Sequence, residues 1–305
     1  MFKLKTGYFI SGIITGLILL FNFFQQLPDG KMHIVFCDVG QGDATYIRFP
    51  NGKDMLIDGG PSGPASSAGK QTPKVLGCLA KHMSIFDREI DVVVLTHPQE
   101  DHLGGLSEIV KRYQVHYFVH SDSTATTEGY TKFMDSIAQK HIPSRSVATG
   151  EEITIGMTQF VVLSPKKSIL AGLGTSNVLG AADVNESCVV LRLSYGSFDA
   201  LFMADADSQV DPELVTQPFR KQGELEVLKV PHHGSKTGMT EGFLSWIGQT
   251  DTAIISVGKN MYGHPAPETL TQLTKRNMQV KRTDQEGDIE IITDGKTWMV
   301  KTSKN

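Results

Sequence analysis

From Lys31 onward the chain breaks into short apolar runs with alternating or continuous hydrophobicity, MHIVFCDV, ATYIRFP and KDMLID, separated by the turn signals GQGD, NGK and DGG. This pattern predicts an antiparallel strand meander, with Asn51-Gly52 as a hairpin turn. A flexible loop, PSGPASSAG, follows. TPKVLGCLAKHM then has helical spacing at Val75, Leu79 and Met83, with Thr72 as cap and Pro73 at the first helical position. The continuous run Val92–Leu95 reads as a buried strand, and LGGLSEIVKRY after it as a helix with Leu103, Leu106, Ile109 and Val110 on one side. Further on, VHYFVH, ITI, TQFVVLSP, SCVVLRLSY, FDALFMAD, LEVLKV, DTAIISV, MQVKRT, GDIEIIT and TWMVKT are expected as strands. Helices are expected over TKFMDSIAQK, SQVDPELVTQPFR up to Pro218, GFLSWIG and PETLTQLTKR, and a long loop over KKSILAGLGTSNVLGAAD. Many strands with interspersed helices imply two sheets packed face to face with helices outside.

The N-terminus differs from everything that follows. Tyr8 to Phe24 carry no charge and follow Lys3 and Lys5, so the expectation is an uncleaved signal anchor over residues 1–30 that leaves residues 31–305 as one domain outside the cytoplasmic membrane. A cleaved signal peptide is the alternative. Over the whole chain of 305 residues, 40% are hydrophobic and 20% charged, an ordinary globular balance. The net charge of -4 gives no global nucleic-acid footprint. Cys37, Cys78 and Cys188 lie in apolar settings and read as small buried hydrophobes, with a Cys37–Cys188 bridge as the alternative open to an exported chain.

The chemistry gathers at strand ends. Val92–Leu95 runs into His97, Glu100, Asp101 and His102, FDALFMAD ends in Asp205, LEVLKVP runs into His232 and His233, and KDMLID ends in Asp58. Imidazoles and carboxylates at the C-terminal ends of strands are how α/β sheets build a metal site. His33, His82, His116, His120 and His141 are read as structural or surface residues, and Asp38 and Asp43 as turn formers. Asp207 competes with Asp205 but lies farther from the strand end.

DVGQGDATYI, LIDGG, LTHPQEDHLGGL, NESCVVL, MADAD, LKVPHHGSKTG and YGHPAPETL together resemble the metallo-β-lactamase fold, specifically its ComEC-like competence-protein branch. The resemblance implies an α/β fold, an αββα sandwich of two facing mixed sheets with outer helices, here preceded by the N-terminal membrane helix. It places His97, Gln99, Asp101 and His102 at four ligand positions, where Gln99 departs from histidine. Asn185 and Ser187 stand where other members have a further histidine. One firm site is therefore expected from Asp101, His102, Asp205 and one of His232 and His233, and one weak site on His97. Few imidazoles shift the expected ion from Zn2+ toward Mn2+ or Mg2+. Asp58 would orient a liganding histidine. Asp101 and His264 are the catalytic candidates, His264 as proton donor or phosphate contact, and Ser235, Lys236 and Thr237 the phosphate holders.

The activity implied is a metal-dependent phosphodiesterase or nuclease, with a metal-bound hydroxide attacking phosphorus. Its substrate would be DNA, as a single strand, outside the membrane and beside a separate uptake channel. Two alternatives stand beside it. One is a small-phosphodiester hydrolase such as a cell-wall choline-phosphate esterase, and the other a non-catalytic metal- or DNA-binding module with a degenerate site.

Overall fold

The computed structural model describes residues 8–16, 28–64, 72–84, 86–166, 185–217 and 225–304. Numbered in chain order, the first sheet holds β1 (Met32–Phe36), β2 (Thr45–Arg48), β3 (Asp54–Ile57), β4 (Glu89–Leu95), β5 (Gln114–His120) and β6 (Ser144–Ser146). The last two strands of the chain, β14 (Ile289–Thr293) and β15 (Trp298–Thr302), complete it in the order β15-β14-β1-β2-β3-β4-β5-β6. The second sheet holds β7 (Glu152–Ile155), β8 (Thr158–Ser164), β9 (Val190–Tyr195), β10 (Phe198–Phe202), β11 (Leu225–Lys229), β12 (Thr250–Ile255) and β13 (Gln279–Arg282), in reverse order from β13 to β7. Both sheets are mixed: β3 to β6 and β10 to β13 run parallel, and the other pairings are antiparallel.

The alternation read along β1 decides the layering. Met32, Ile34 and Phe36 face the second sheet and join a core with Phe160, Val162, Leu191, Leu193, Phe202 and Val227. Phe36 stacks on Phe202 with ring centroids 6.1 Å apart. Val35 points the other way, into a core shared with the helices α2 (Val75–His82), α4 (Leu106–Arg112) and α5 (Glu128–Gln139). A third core lies on the far side of the second sheet, under α6 (Asp211–Leu214), α7 (Glu241–Ile247) and α8 (Pro267–Lys275). The order is helix, sheet, sheet, helix, because each sheet is apolar on both faces and needs cover on both.

Several expectations change. Cys37 is bridged to Cys78, across 41 residues, and Cys188 is buried outside that bridge, so neither three buried hydrophobes nor a Cys37–Cys188 bridge holds. The end of β1 lies beside α2, and the Cα atoms of the two bridged cysteines are 5.8 Å apart, within disulfide reach. The helix after Thr72 begins at Val75, with no side chain capping it. The helix expected up to Pro218 is four residues long, with Pro212 in its first turn, and the residues from 218 to 224 lie outside those described. Elements that were not expected include β6, the one-turn helix over Glu100–Leu103 and the one-turn helix α9 (Thr283–Glu286). Residues 8–16 form a helix, α1, while 17–27 and the expected long loop over 167–184 lie outside the described residues. Among the described residues no helix is long and apolar enough to cross a membrane.

Candidate metal centre

The parallel strands bring four loops to one end of the sandwich. Asp58 directly follows β3 in a left-handed conformation, φ 59°. This turns its carboxylate back over the strand end: Oδ1 accepts from the Thr96 N–H at 2.8 Å and Oδ2 from the Thr96 hydroxyl at 2.7 Å. Oδ2 also faces His102 Nδ1 at 2.7 Å. Asp58 thus fixes the start of the HPQEDH loop and the ring that the loop presents, with His102 Nε2 left pointing away from it. The short helix α3 (Glu100–Leu103) carries Asp101 and His102, and Gln99 is its extended N-cap residue.

From the second sheet, β10 runs into Ala204 (φ 49°) and Asp205, and β11 runs into the turn Pro231–Gly234. His232 and His233 both adopt positive φ there, 48° and 52°. Such a backbone costs free energy in a non-glycine residue and persists where the surroundings enforce it. Part of that enforcement is the His232 N–H bonded to the Ala204 carbonyl at 2.9 Å. The next residue must be glycine: at Gly234, φ 81°, a Cβ would lie 2.7 Å from Pro265 Cβ.

Asp205 is the hub of the site. Its Oδ1 lies 3.2 Å from His102 Nε2, and its Oδ2 lies 3.4 Å from His233 Nε2, 4.0 Å from His97 Nε2 and 3.9 Å from His232 Nε2. Asp101 Oδ2 is 3.3 Å from His233 Nε2. Asp101, His102, Asp205 and His233 each offer one ligand atom, all within 4.8 Å of one another. His97 and His232 stand outside that group of four, at the edge of Asp205. Of the histidine pair, therefore, His233 joins the group, its Nδ1 held 2.9 Å from the Ser256 carbonyl.

These residues fit a divalent ion on a direct observation. His97 Nε2, His102 Nε2, His233 Nε2 and Asp205 Oδ1 are buried and, among the described residues, make no hydrogen bond. Buried polar atoms are seldom left so, and these four turn toward one space. Without an ion, the carboxylates and imidazoles of the group hold one another's charge. Burial drives the His97 imidazole down to about 3, so it is neutral. Burial would do the same to His233, but Asp205 and Asp43 overcome it and raise it to about 10. Asp205 is held well below the carboxylate range, against its burial, by His233 and His102. Asp101 is held down at about 2 in the same way by His233 and His102.

A cavity of about 600 Å3 opens over the group, lined among others by Gln41, Gln99, Asp101, Asn185, His232, Tyr262 and His264. Gln99 Nε2 donates to Asn185 Oδ1 at 3.1 Å, so the two amides at the weak-site positions hold each other. Ser187 is fully buried. His264 reaches the cavity wall beside His232, ring centroids 5.5 Å apart, and partial burial with His232 nearby lowers its pKa. Ser235, Lys236 and Thr237 do not line this cavity. In the segment after the histidines the Ser235 and Thr237 hydroxyls meet at 3.0 Å, and Thr237 donates to Asp207 at 3.2 Å. Asp207 is thereby placed away from the group.

Four residues at the site had escaped the reading of the sequence: Thr96, Asp43, Lys229 and Tyr262. Asp43, taken for a turn former, is buried, ion-paired with Lys229, and has Oδ1 3.6 Å from His233 Nδ1. A visible signal was Lys229, set between the apolar Leu228 and Val230 of LEVLKV. Tyr262, three-quarters exposed at the cavity rim, had none.

The αββα layering and a cluster of histidines and aspartates at the strand ends define a metal-dependent hydrolase fold. The chain belongs to the metallo-beta-lactamase superfamily, whose family model matches residues 37–247. Within it, the chain is similar to competence-related proteins. It is 29% identical over 284 residues to ComE operon protein 3 of Bacillus subtilis, covering 90% of this chain and 34% of that protein. It is also 29% identical over 280 residues to Recombination protein 2 of Haemophilus influenzae, covering 90% and 31%. The chain thus spans about a third of the length of these relatives. Among solved structures, YhfI of B. subtilis matches with a TM-score of 0.51 at 11% identity, over 86% of this chain and all of that one. CmlA, a diiron beta-hydroxylase of Streptomyces venezuelae, matches at 0.53 and 14%, over 86% of this chain and 54% of that one. Both likenesses are of fold.

Proposed function

We propose that this chain is a metal-dependent phosphodiesterase acting on DNA outside the cytoplasmic membrane. The observation that carries the reading is the convergence of buried histidine and aspartate atoms, without hydrogen bonds among the described residues, on one space beneath an open cavity. Asp101, His102, Asp205 and His233 would hold the ion. His97 would lean on Asp205 at a second, weaker position that Gln99 and Asn185 leave short of strong donors. With few imidazoles, Mn2+ is as suitable as Zn2+, and Mg2+ is the third candidate. A divalent ion supplies a Lewis acid for a phosphoryl oxygen and lowers the pKa of a coordinated water.

The chain's own residues do the rest. With an ion bound, Asp58 would keep His102 in one tautomer, Nδ1–H directed at the carboxylate and Nε2 toward the ion. The Ser256 carbonyl would do the same for His233. His264, on the cavity wall, would donate a proton or an N–H to a phosphate oxygen. The competence-related names of the relatives support DNA as the substrate, with a separate uptake channel as the partner to seek. The uncharged N-terminal run supports an anchor over residues 1–30. A disulfide between Cys37 and Cys78 suits an oxidising compartment.

The test is hydrolysis of bis(p-nitrophenyl) phosphate and of single-stranded DNA by the purified chain, with Mn2+, Mg2+ and Zn2+ in turn. Turnover of both is expected, falling to background in Asp101→Ala and Asp205→Ala. Metal binding without turnover of either substrate would instead make the chain a binding module. Turnover of the small ester with none of DNA would overturn DNA as the substrate.

A further inference from the structure

The metal group is divided between two sheets. Asp101 and His102 come from the loop after β4 in the first, Asp205 and His233 from the loops after β10 and β11 in the second. A divalent ion tolerates small errors in ligand position poorly, so something must hold the two halves at a fixed separation before an ion arrives. Hydrophobic packing between the sheets is non-directional. It sets their mean spacing and leaves the register of the two loops open.

Asp43 is placed to set that register. Its N–H donates to the Asp101 carbonyl at 3.0 Å, and its own carbonyl accepts from the Gly60 N–H at 2.7 Å. The preceding residue, Gly42, has φ 138°, and a Cβ there would lie 2.3 Å from the same Asp101 oxygen. The loop between β1 and β2 is therefore pressed directly on the backbone of a candidate ligand in the first sheet. The Asp43 side chain crosses to the second sheet: Oδ2 pairs with Lys229 Nζ at the end of β11, and Oδ1 lies 3.6 Å from His233 Nδ1. Both members of the pair are buried, Asp43 at 4% and Lys229 at 3% exposure. Oδ1 makes no hydrogen bond among the described residues.

As a source of stability the pair is poorly chosen. Desolvating two charges offsets much of their attraction, and replacing both with apolar groups of similar volume is often neutral or stabilising. Its position gives it a different use. We infer that Asp43 and Lys229 are positioning residues, a charged strut between the sheets that sets Asp101 against His233. The inference rests on the reading of Asp101, His102, Asp205 and His233 as a divalent-metal site.

The experiment measures Mn2+ and Zn2+ affinity by titration calorimetry on the full chain, with the visible absorption of bound Co2+ as a report on coordination. Melting of the metal-free protein is followed in parallel. The deciding variant is Asp43→Asn combined with Lys229→Met, which leaves no uncompensated buried charge. Its metal-free melting temperature is expected to stay near wild type, while metal affinity falls by about 10- to 100-fold and the Co2+ spectrum shifts. Lys229→Arg, which keeps the charge, is expected to retain most of the affinity. Wild-type affinity and an unchanged Co2+ spectrum in the double variant would overturn the strut, and so would failure of the double variant to fold, which would make the pair a stability element. A wild-type chain that binds none of the three ions would overturn the metal reading itself.

Discussion

Gln99 caps the helix that carries Asp101 and His102, and its amide donates to Asn185 Oδ1 at 3.1 Å. An amide is a weak donor to zinc where imidazole is a strong one, and His97 Nε2, 4.0 Å from Asp205 Oδ2, makes no hydrogen bond among the described residues. Gln99→His should raise zinc content above that of the wild type, toward two ions per chain, as read by elemental analysis of the purified protein. Two tightly bound ions already present in the wild type would remove this account. At the scale of single residues much of the site was legible: acids and imidazoles at strand ends announced Asp101, His102 and Asp205. The choice between His232 and His233 was not, because it depends on two consecutive left-handed residues that spacing does not reveal. Asp43 was misjudged for a related reason. A glycine-flanked aspartate ordinarily serves its own turn, and the partner that changes its role is Lys229, 186 residues away.

Among the elements, the turns after the strands do more than the strands themselves. Asp58, Ala204, His232 and His233 all have positive φ, and all lie at the site. A regular strand would carry these side chains onward in line, whereas a left-handed residue reverses them toward a common point. The loop after β1 is secured differently, by the disulfide that ties Cys37 to Cys78 on α2. This clamp sits at the base of the segment that bears Asp43. Changing both cysteines to serine is expected to cost about 2–4 kcal/mol of unfolding free energy, the usual range for a closed loop of this size. Urea denaturation should show it, with the reduced wild type matching the variant; equal midpoints for oxidised and reduced wild type would refute it. The strands and long helices were legible from periodicity. The bridge was not, since distance between cysteines along the chain says nothing of distance across α2 and β1.

At the scale of the whole molecule, the ends of the domain meet. β1 pairs with β2 on one side and β14 on the other. Asp288, just before β14, accepts from the Asp38 N–H at 2.9 Å and from Lys81 Nζ at 2.6 Å. Burial pushes its pKa up, but hydrogen bonds from His82, Lys81 and the Asp38 backbone outweigh it and hold the group well below its ordinary 3.8. A depressed acid binds fewer protons in the folded state. Its stabilisation is therefore present above the ordinary value and is lost as pH falls below about 4. Asp288→Asn should cost about 1–3 kcal/mol at pH 7, the range for a hydrogen bond to a charged group, and the gap from wild type should narrow toward pH 3. Urea midpoints at the two pH values test this, and a gap that stays constant would count against it. The layered architecture was legible as two sets of strands with helices between them. That the last strands belong to the first sheet was not, because alternation tells which face of a strand is buried and never which strand lies beside it.

The pairing of β1 with β14 also bears on how the chain comes into being. A polypeptide emerging N-terminus first has β1 beside β2 early, yet the other edge of β1 stays bare until Ile289–Thr293 arrives. A bare strand edge invites pairing with other chains, and contacts this distant in sequence form slowly. Every candidate site residue lies before β14 and β15 in the chain. These two strands act as a lock: the sheet on which the first ligands stand closes only when β14 reaches β1.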